Sequence, residues 1–152
     1  ESHSIRSTTI REVLTQGDVT QVAALLGRHF LLTGAVGKGA GRGRTLGFPT
    51  ANLEVPPGMA IPGDGIYATW AHLGERRYMA ATSIGTRPTF GENERSIEAF
   101  IMDFKGDVYG QQVNLEFVRH LRGEIKYDNV EDLQVQIGRD VDDVRVILQS
   151  EE

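Results

Sequence analysis

The sequence predicts a mainly β protein: an antiparallel sheet or small closed barrel, with short helices at the N-terminal end and a helical C-terminal tail. Three observations carry this. Strand-like runs separated by glycine and proline follow one another from His29 to Leu121, two of the gaps between them are short enough for tight turns, and helical spacing of apolar residues is confined to the two ends. Strands joined by short turns pair antiparallel with their neighbours, so a sheet or its closed form is the simplest arrangement that buries one face of each.

The elements follow in chain order. Ser7 or Thr8 can cap a helix running to about Gln16, with Gly17 as its stop; Asp18 can cap a second through Ala23, Leu25 and Leu26, closed by Gly27. Strands are expected at 29–36, 48–53, 65–73, 77–84, 96–104 and 110–121, with Gly74-Glu75-Arg76 and Lys105-Gly106-Asp107 as tight connections. Val55 to Gly65 carries too much proline and glycine for regular structure and reads as a surface loop. Asn129 caps a run in which Val130, Leu133 and Ile137 keep helical spacing, and Asp140 can restart it, with Val141, Val144, Ile147 and Leu148 on one face.

At 152 residues the chain can build one domain with a proper core. It has no cysteine, which excludes disulfides, thiolate nucleophiles and thiolate metal sites. No apolar run reaches 18 residues and the N-terminus shows no signal-peptide pattern, so a soluble cytoplasmic protein with no membrane partner is expected. The net charge of −5 argues against a nucleic-acid partner, which would call for a basic domain.

The positive charge is local. Gly34 to Asn52 packs six glycines, Lys38, Arg42, Arg44 and a Thr-x-Asn pair into 19 residues. Glycine at that density lets backbone N–H groups turn toward one point, and with basic side chains they form an anion cradle; the bland alternative is a flexible connection, which the basic residues disfavour. It is not a Walker loop, since no Gly-Lys-Ser/Thr closes it. Thr50 and Asn52 share one face of a strand at roughly 7 Å spacing, a hydroxyl and an amide oxygen able to reach one hard cation. Both are neutral, so the ion is expected to arrive with a polyphosphate. Pro49 puts the segment at an edge or opening.

Glu98 lies in Ser96-Ile-Glu-Ala-Phe-Ile-Met-Asp-Phe104, where alternation sets it on one face with Phe100, Met102 and Phe104. A carboxylate in such surroundings is either a strand-end group reaching water or a placed base. The four histidines show no ligand spacing, which speaks against zinc, and no Gly-x-Ser-x-Gly elbow supports a serine hydrolase.

Taken in order, several segments resemble the riboflavin kinase module of bacterial bifunctional FAD synthetases. They are Gly-Arg-x-Leu-Gly-Phe-Pro-Thr-Ala-Asn ending at Asn52, Ile84-Gly-Thr-Arg-Pro-Thr-Phe90, Ile97-Glu-Ala-Phe100, Asp107-Val-Tyr-Gly110 and Leu121-Arg-Gly-Glu-Ile-Lys-Tyr127. The likeness covers about residues 28–149, and Phe-Pro-Thr-Ala-Asn is its most specific part.

The resemblance implies a six-stranded antiparallel barrel with a C-terminal helix, and magnesium-dependent transfer of the ATP γ-phosphoryl group to riboflavin, giving FMN and ADP. Carried over by position, Thr50 and Asn52 would bind the magnesium, and Glu98 would be the catalytic base. Gly37, Lys38, Gly39, Gly41, Arg42, Gly43, Arg44, Pro49, Thr50 and Asn52 would bind ATP. Arg122, Asp128, Val130 and Leu133 would lie against the flavin.

Residues 29–152 would form the kinase domain. Residues 1–28 resemble a remnant or linker from a preceding adenylyltransferase module, through Ile5-Arg-Ser-Thr-Thr-Ile-Arg11. That module would be an N-terminal partner in the full protein. Its histidine-containing nucleotide motif does not occur in this chain, so FMN without FAD is the expected product.

Overall fold

A computed structural model describes residues 7–37, 50–56, 58–86, 95–104, 108–123 and 129–150. Two short helices, α1 (Ser7–Thr15) and α2 (Val19–Leu26), precede six strands: β1 (Phe30–Gly37), β2 (Thr50–Glu54), β3 (Gly65–Leu73), β4 (Arg76–Thr86), β5 (Arg95–Ile101) and β6 (Gln112–Arg122). A single helix, α3 (Val130–Ser150), ends the described chain. The strands close into an antiparallel barrel in the order β1-β2-β5-β4-β3-β6, so the choice between sheet and barrel falls to the barrel.

Alternation sorts the side chains. Leu32, Val36, Ala51, Leu53, Tyr67, Ala71, Ala80, Ile84, Ile97, Ala99, Ile101, Val113, Leu115 and Phe117 form one buried cluster inside the barrel. Leu14, Val19 and Val22 belong to the same cluster, so α1 and α2 stop one end of the barrel. Asp18 accepts from the Gln21 N–H at 3.1 Å, and Gly27 ends α2 at φ 80°, a conformation that costs glycine little. Residues 58–64 help seal the junction. The Gly63 N–H donates to the Leu14 carbonyl at 2.9 Å, and Tyr67 Oη donates to the Gly63 carbonyl at 2.5 Å. A Cβ at Gly63 would collide with the Thr15 carbonyl oxygen, so the loop meets the helix backbone to backbone.

The opposite strand faces form a second cluster outside the barrel. Ala68, Trp70, Ala81, Phe100 and Val118 pack under Ile137, Val141, Val144 and Leu148, one face of α3, which lies over β3 and β4. Two predictions are corrected here. Asp140 does not restart a helix: α3 runs through it without a break, and its carboxylate is buried against Arg122. The strand expected to reach Phe104 ends at Ile101, because Asp103 turns the chain at φ 59°; Met102 still falls in the outer cluster with Phe100, whereas Phe104 leaves that face and packs against the inner cluster. Gly74-Glu75 forms the first predicted turn, while Lys105-Gly106-Asp107 lies outside the described residues.

β6 carries two register shifts against β3, between Ile66 and Tyr67 and between Ala68 and Thr69. They let Phe117 and His120, three apart, both meet the Tyr67 ring edge-on, at 5.2 and 4.9 Å, while Val118 and Leu121 turn outward to the second cluster. Elsewhere on the outer face, the Glu116 carboxylate bridges His29 (2.6 Å) and His72 (2.9 Å), tying β6 to the start of β1 and to β3. Burial pushes that carboxyl up, but the two histidine hydrogen bonds outweigh it and the net shift is downward.

Candidate active site

Register decides which polar residues meet. Gly37 pairs with Asn52, Asn52 with Glu98, Glu98 with Ser83, Ser83 with Ile66, and Ile66 with Arg122. Residues opposed across a ladder present their side chains to the same face. The faces next to them in β2 and β5, at Ala51, Leu53, Ile97 and Ala99, point inward, so this row lies on the outer wall. β1 ends at Gly37 and β6 ends at Arg122, and the two strands are antiparallel. The row therefore climbs from one rim of the barrel to the other, as the stagger of a closed barrel requires, with Glu98 midway.

Asn52 and Glu98 stand directly opposite, with Cβ atoms about 5 Å apart by the geometry of such pairs. Glu98 is 1% exposed although it sits on the outer wall. Asn52 Oδ1 is buried with no hydrogen-bond partner among the described residues. A buried amide oxygen without a donor is costly unless a ligand supplies one or a cation takes its place. The donor set thus fits a hard cation that brings its own negative charge. Ser83, on the other side of Glu98, is a neighbour that no sequence signal marks; only strand register brings it there.

The remaining predicted residues divide as follows. Thr50 opens β2 opposite Phe100, two positions from Asn52. Gly37 closes β1, and a Cβ there would meet only the side chain of the exposed Glu54. Lys38, Gly39, Gly41, Arg42, Gly43, Arg44 and Pro49 lie outside the described residues, as does Asp128. Their segment joins Gly37 to Thr50, so both of its attachment points stand beside Asn52. Val130 begins α3, and Leu133 packs on the outer cluster.

Arg122 is engaged within the protein. Its Nε and Nη2 donate to the two Asp140 oxygens at 3.1 and 2.7 Å, and its Nη1 donates to the Gly123 carbonyl at 2.9 Å. The row thus has a glycine-rich connection at one end, a strand-to-helix connection at the other, and a buried carboxylate between them.

The barrel interior is filled by apolar side chains, and the carboxylate and amide oxygen are paired on its outer wall. The sequence matches the riboflavin kinase (Flavokinase) family over residues 26–148, and the chain belongs to that family, a family of kinases. It is 37% identical over 145 residues to a bifunctional riboflavin kinase/FMN adenylyltransferase of Listeria monocytogenes, covering 95% of this chain and 46% of that protein. The chain spans about half the length of the relatives it matches.

Among solved structures, riboflavin kinase from Trypanosoma brucei superposes with a TM-score of 0.59 at 25% identity, over 78% of this chain and 79% of that one. A Streptococcus pneumoniae protein described as a macrolide-efflux protein superposes with a TM-score of 0.87 at 35% identity, over 93% of this chain and 46% of that one. Among the described residues here, no helix is long and apolar enough to cross a membrane.

Proposed function

We propose that this chain phosphorylates riboflavin, transferring the γ-phosphoryl group of ATP to the terminal ribityl hydroxyl to give FMN and ADP. The observation that carries the reading is the buried Glu98 opposite the Asn52 amide oxygen, which has no hydrogen-bond partner among the described residues. Family membership supplies the substrate class.

In this reading the two substrates come from the two ends of the row. ATP takes the end where the glycine-rich segment leaves Gly37 and returns at Thr50, bringing Lys38, Arg42 and Arg44. The flavin takes the end formed by the β6–α3 connection, with Asp128, Val130 and Leu133. The ribityl hydroxyl oxygen attacks the γ-phosphorus as the bond to the β-phosphate oxygen breaks, and its proton passes to the Glu98 carboxylate. Such transfer runs through a loose transition state, so alignment and charge neutralisation count for more than early proton removal. A positioned base typically contributes about 10²–10⁴-fold.

Thr50 and Asn52 would hold magnesium delivered with ATP. The ion would neutralise charge on the phosphate oxygens. We assign no FAD synthesis to this chain, because the histidine motifs of adenylyl transfer do not occur in it; an N-terminal adenylyltransferase module would be its partner in a longer protein.

The test is to incubate the purified chain with riboflavin and Mg²⁺-ATP and to separate FMN and FAD by chromatography, with an EDTA control. FMN formed only with magnesium, and no FAD, is expected. Flavin binding without FMN would replace the kinase reading with a flavin-sensing one. Salt-dependent polynucleotide binding in place of flavin binding would point to an RNA-binding barrel.

A further inference from the structure

Glu98 has a polar neighbour on each side. Asn52 stands opposite it on β2 and Ser83 opposite it on β4, each one strand away, about 4.8 Å along the wall. In the kinase reading Asn52 has a role and Ser83 has none. Ser83 is partly exposed, whereas Glu98 is 1% exposed, and the Ser83 hydroxyl makes no hydrogen bond to another described residue. A hydroxyl can donate one hydrogen bond and accept two, so this one is open to a ligand.

The wall is low where Ser83 stands. Ala81 and Gly85 lie two residues to either side of it and share its face, so β4 presents nothing larger than a hydroxymethyl group over this stretch. Ala81 packs in the cluster under α3, and Ser83 is the next outward residue.

The direction of approach follows from the reaction. In-line transfer puts the attacking and leaving oxygens on opposite sides of the phosphorus. With the cation and its polyphosphate on the Asn52 side of Glu98, the acceptor hydroxyl reaches the carboxylate from the Ser83 side. An acceptor that ends in a chain of hydroxyl-bearing carbons then carries its second hydroxyl past Ser83.

We propose that Ser83 is an acceptor-binding residue. Its hydroxyl hydrogen-bonds the ribityl hydroxyl next to the one that is phosphorylated, and so holds the terminal oxygen over Glu98. The site thereby selects acceptors with two adjacent hydroxyls at the end of the chain. The proposal rests on the kinase reading for the identity of the acceptor, and goes beyond it in giving Ser83 a partner on the substrate.

The test crosses two deletions: Ser83→Ala in the protein, and 4′-deoxyriboflavin, which lacks the second hydroxyl, in the acceptor. Kd is followed by quenching of flavin fluorescence and kcat/KM by chromatography of the phosphorylated flavin, with a melting curve for each variant. Loss of one hydrogen bond between neutral groups is expected to cost about tenfold in both quantities, whichever partner is deleted. Once the acceptor hydroxyl is gone, Ser83→Ala should change either quantity by less than about twofold, so the two deletions do not add. Ser83→Thr, which keeps the hydroxyl, should stay within about threefold of wild type, and KM for ATP within about twofold throughout.

A loss in Ser83→Ala that is equal with both acceptors, or no loss with riboflavin, overturns the proposal. If Ser83→Ala does not fold, Ser83→Thr against Ser83→Val, alike in shape and differing in the hydroxyl, decides by the same cross. A wild-type chain that binds riboflavin without phosphorylating it overturns the kinase reading alone, since the cross read in Kd still decides this contact. A chain that binds no riboflavin overturns both.

Discussion

Leu14→Ala tests whether the N-terminal helices belong to the barrel. Leu14 is 2% exposed and shares a cluster with Val19, Val22 and the barrel interior, while its carbonyl receives the Gly63 N–H. Truncating a buried leucine costs about 2–5 kcal/mol, as lost transfer energy plus a cavity the surroundings close only in part. The site lies between a helix pair and a closed barrel, both held by their own hydrogen bonds, so collapse is limited and about 3 kcal/mol is the working figure. For a chain of this size that corresponds to a fall of roughly 6–12 °C in Tm.

Thermal and urea unfolding of wild type and Leu14→Ala, each followed by two probes, measures it. Glu12→Ala, at an exposed position of the same helix, serves as control and should stay within about 0.5 kcal/mol. If residues 1–28 are a trailing remnant of another module, Leu14→Ala will behave like the control. That outcome would refute the docking argument. The glycine at position 63 offers an independent check on the same junction.

Gly63→Ala should destabilise by about 1–3 kcal/mol, read by the same unfolding curves, because the new methyl meets the Thr15 carbonyl oxygen and lies 3.1 Å from the Gly17 nitrogen, both backbone atoms that cannot swing aside. Glu98→Ala should cut kcat by about 10²–10⁴-fold while riboflavin Kd changes only a few-fold; equal losses in binding and turnover would remove the base role. The Glu116 bridge predicts a pH effect of definite sign. Its carboxyl is lowered in the folded state, so its contribution is present above the ordinary carboxylate value and lost as pH falls through the lowered one. The Tm gap between wild type and Glu116→Gln should therefore narrow from about pH 6 to about pH 3. A gap that widens on acidification would contradict the assignment.

What the sequence alone determined is what depends on near neighbours. The strand-like runs bounded by glycine and proline, Asp18 and Gly27 bracketing α2, and Asn129 ahead of α3 all act within a few residues, and each appears in the structure close to where spacing puts it. The Phe-Pro-Thr-Ala-Asn segment and its companions carried the family through residue identity. Glu98 and Asn52 could be named as candidates because each stands in a distinctive local string.

Their pairing could not be read there. Asn52 faces Glu98, and Glu98 faces Ser83, through ladders joining residues 46 and 15 positions apart, and a slip of one residue would have sent Glu98 into the barrel interior. The same holds for the rest of the tertiary account. Asp140 looks like a helix start in sequence because a short acid often caps one, yet Arg122 makes it a buried partner in an unbroken helix. His29 and His72 show no spacing because three strands bring them to Glu116. Two bulges in β6 turn Phe117 and His120 to the same ring against simple alternation. Local strings specify elements and candidates, whereas register, bulges and barrel closure decide which side chains share a site, because those depend on contacts between residues far apart in the chain.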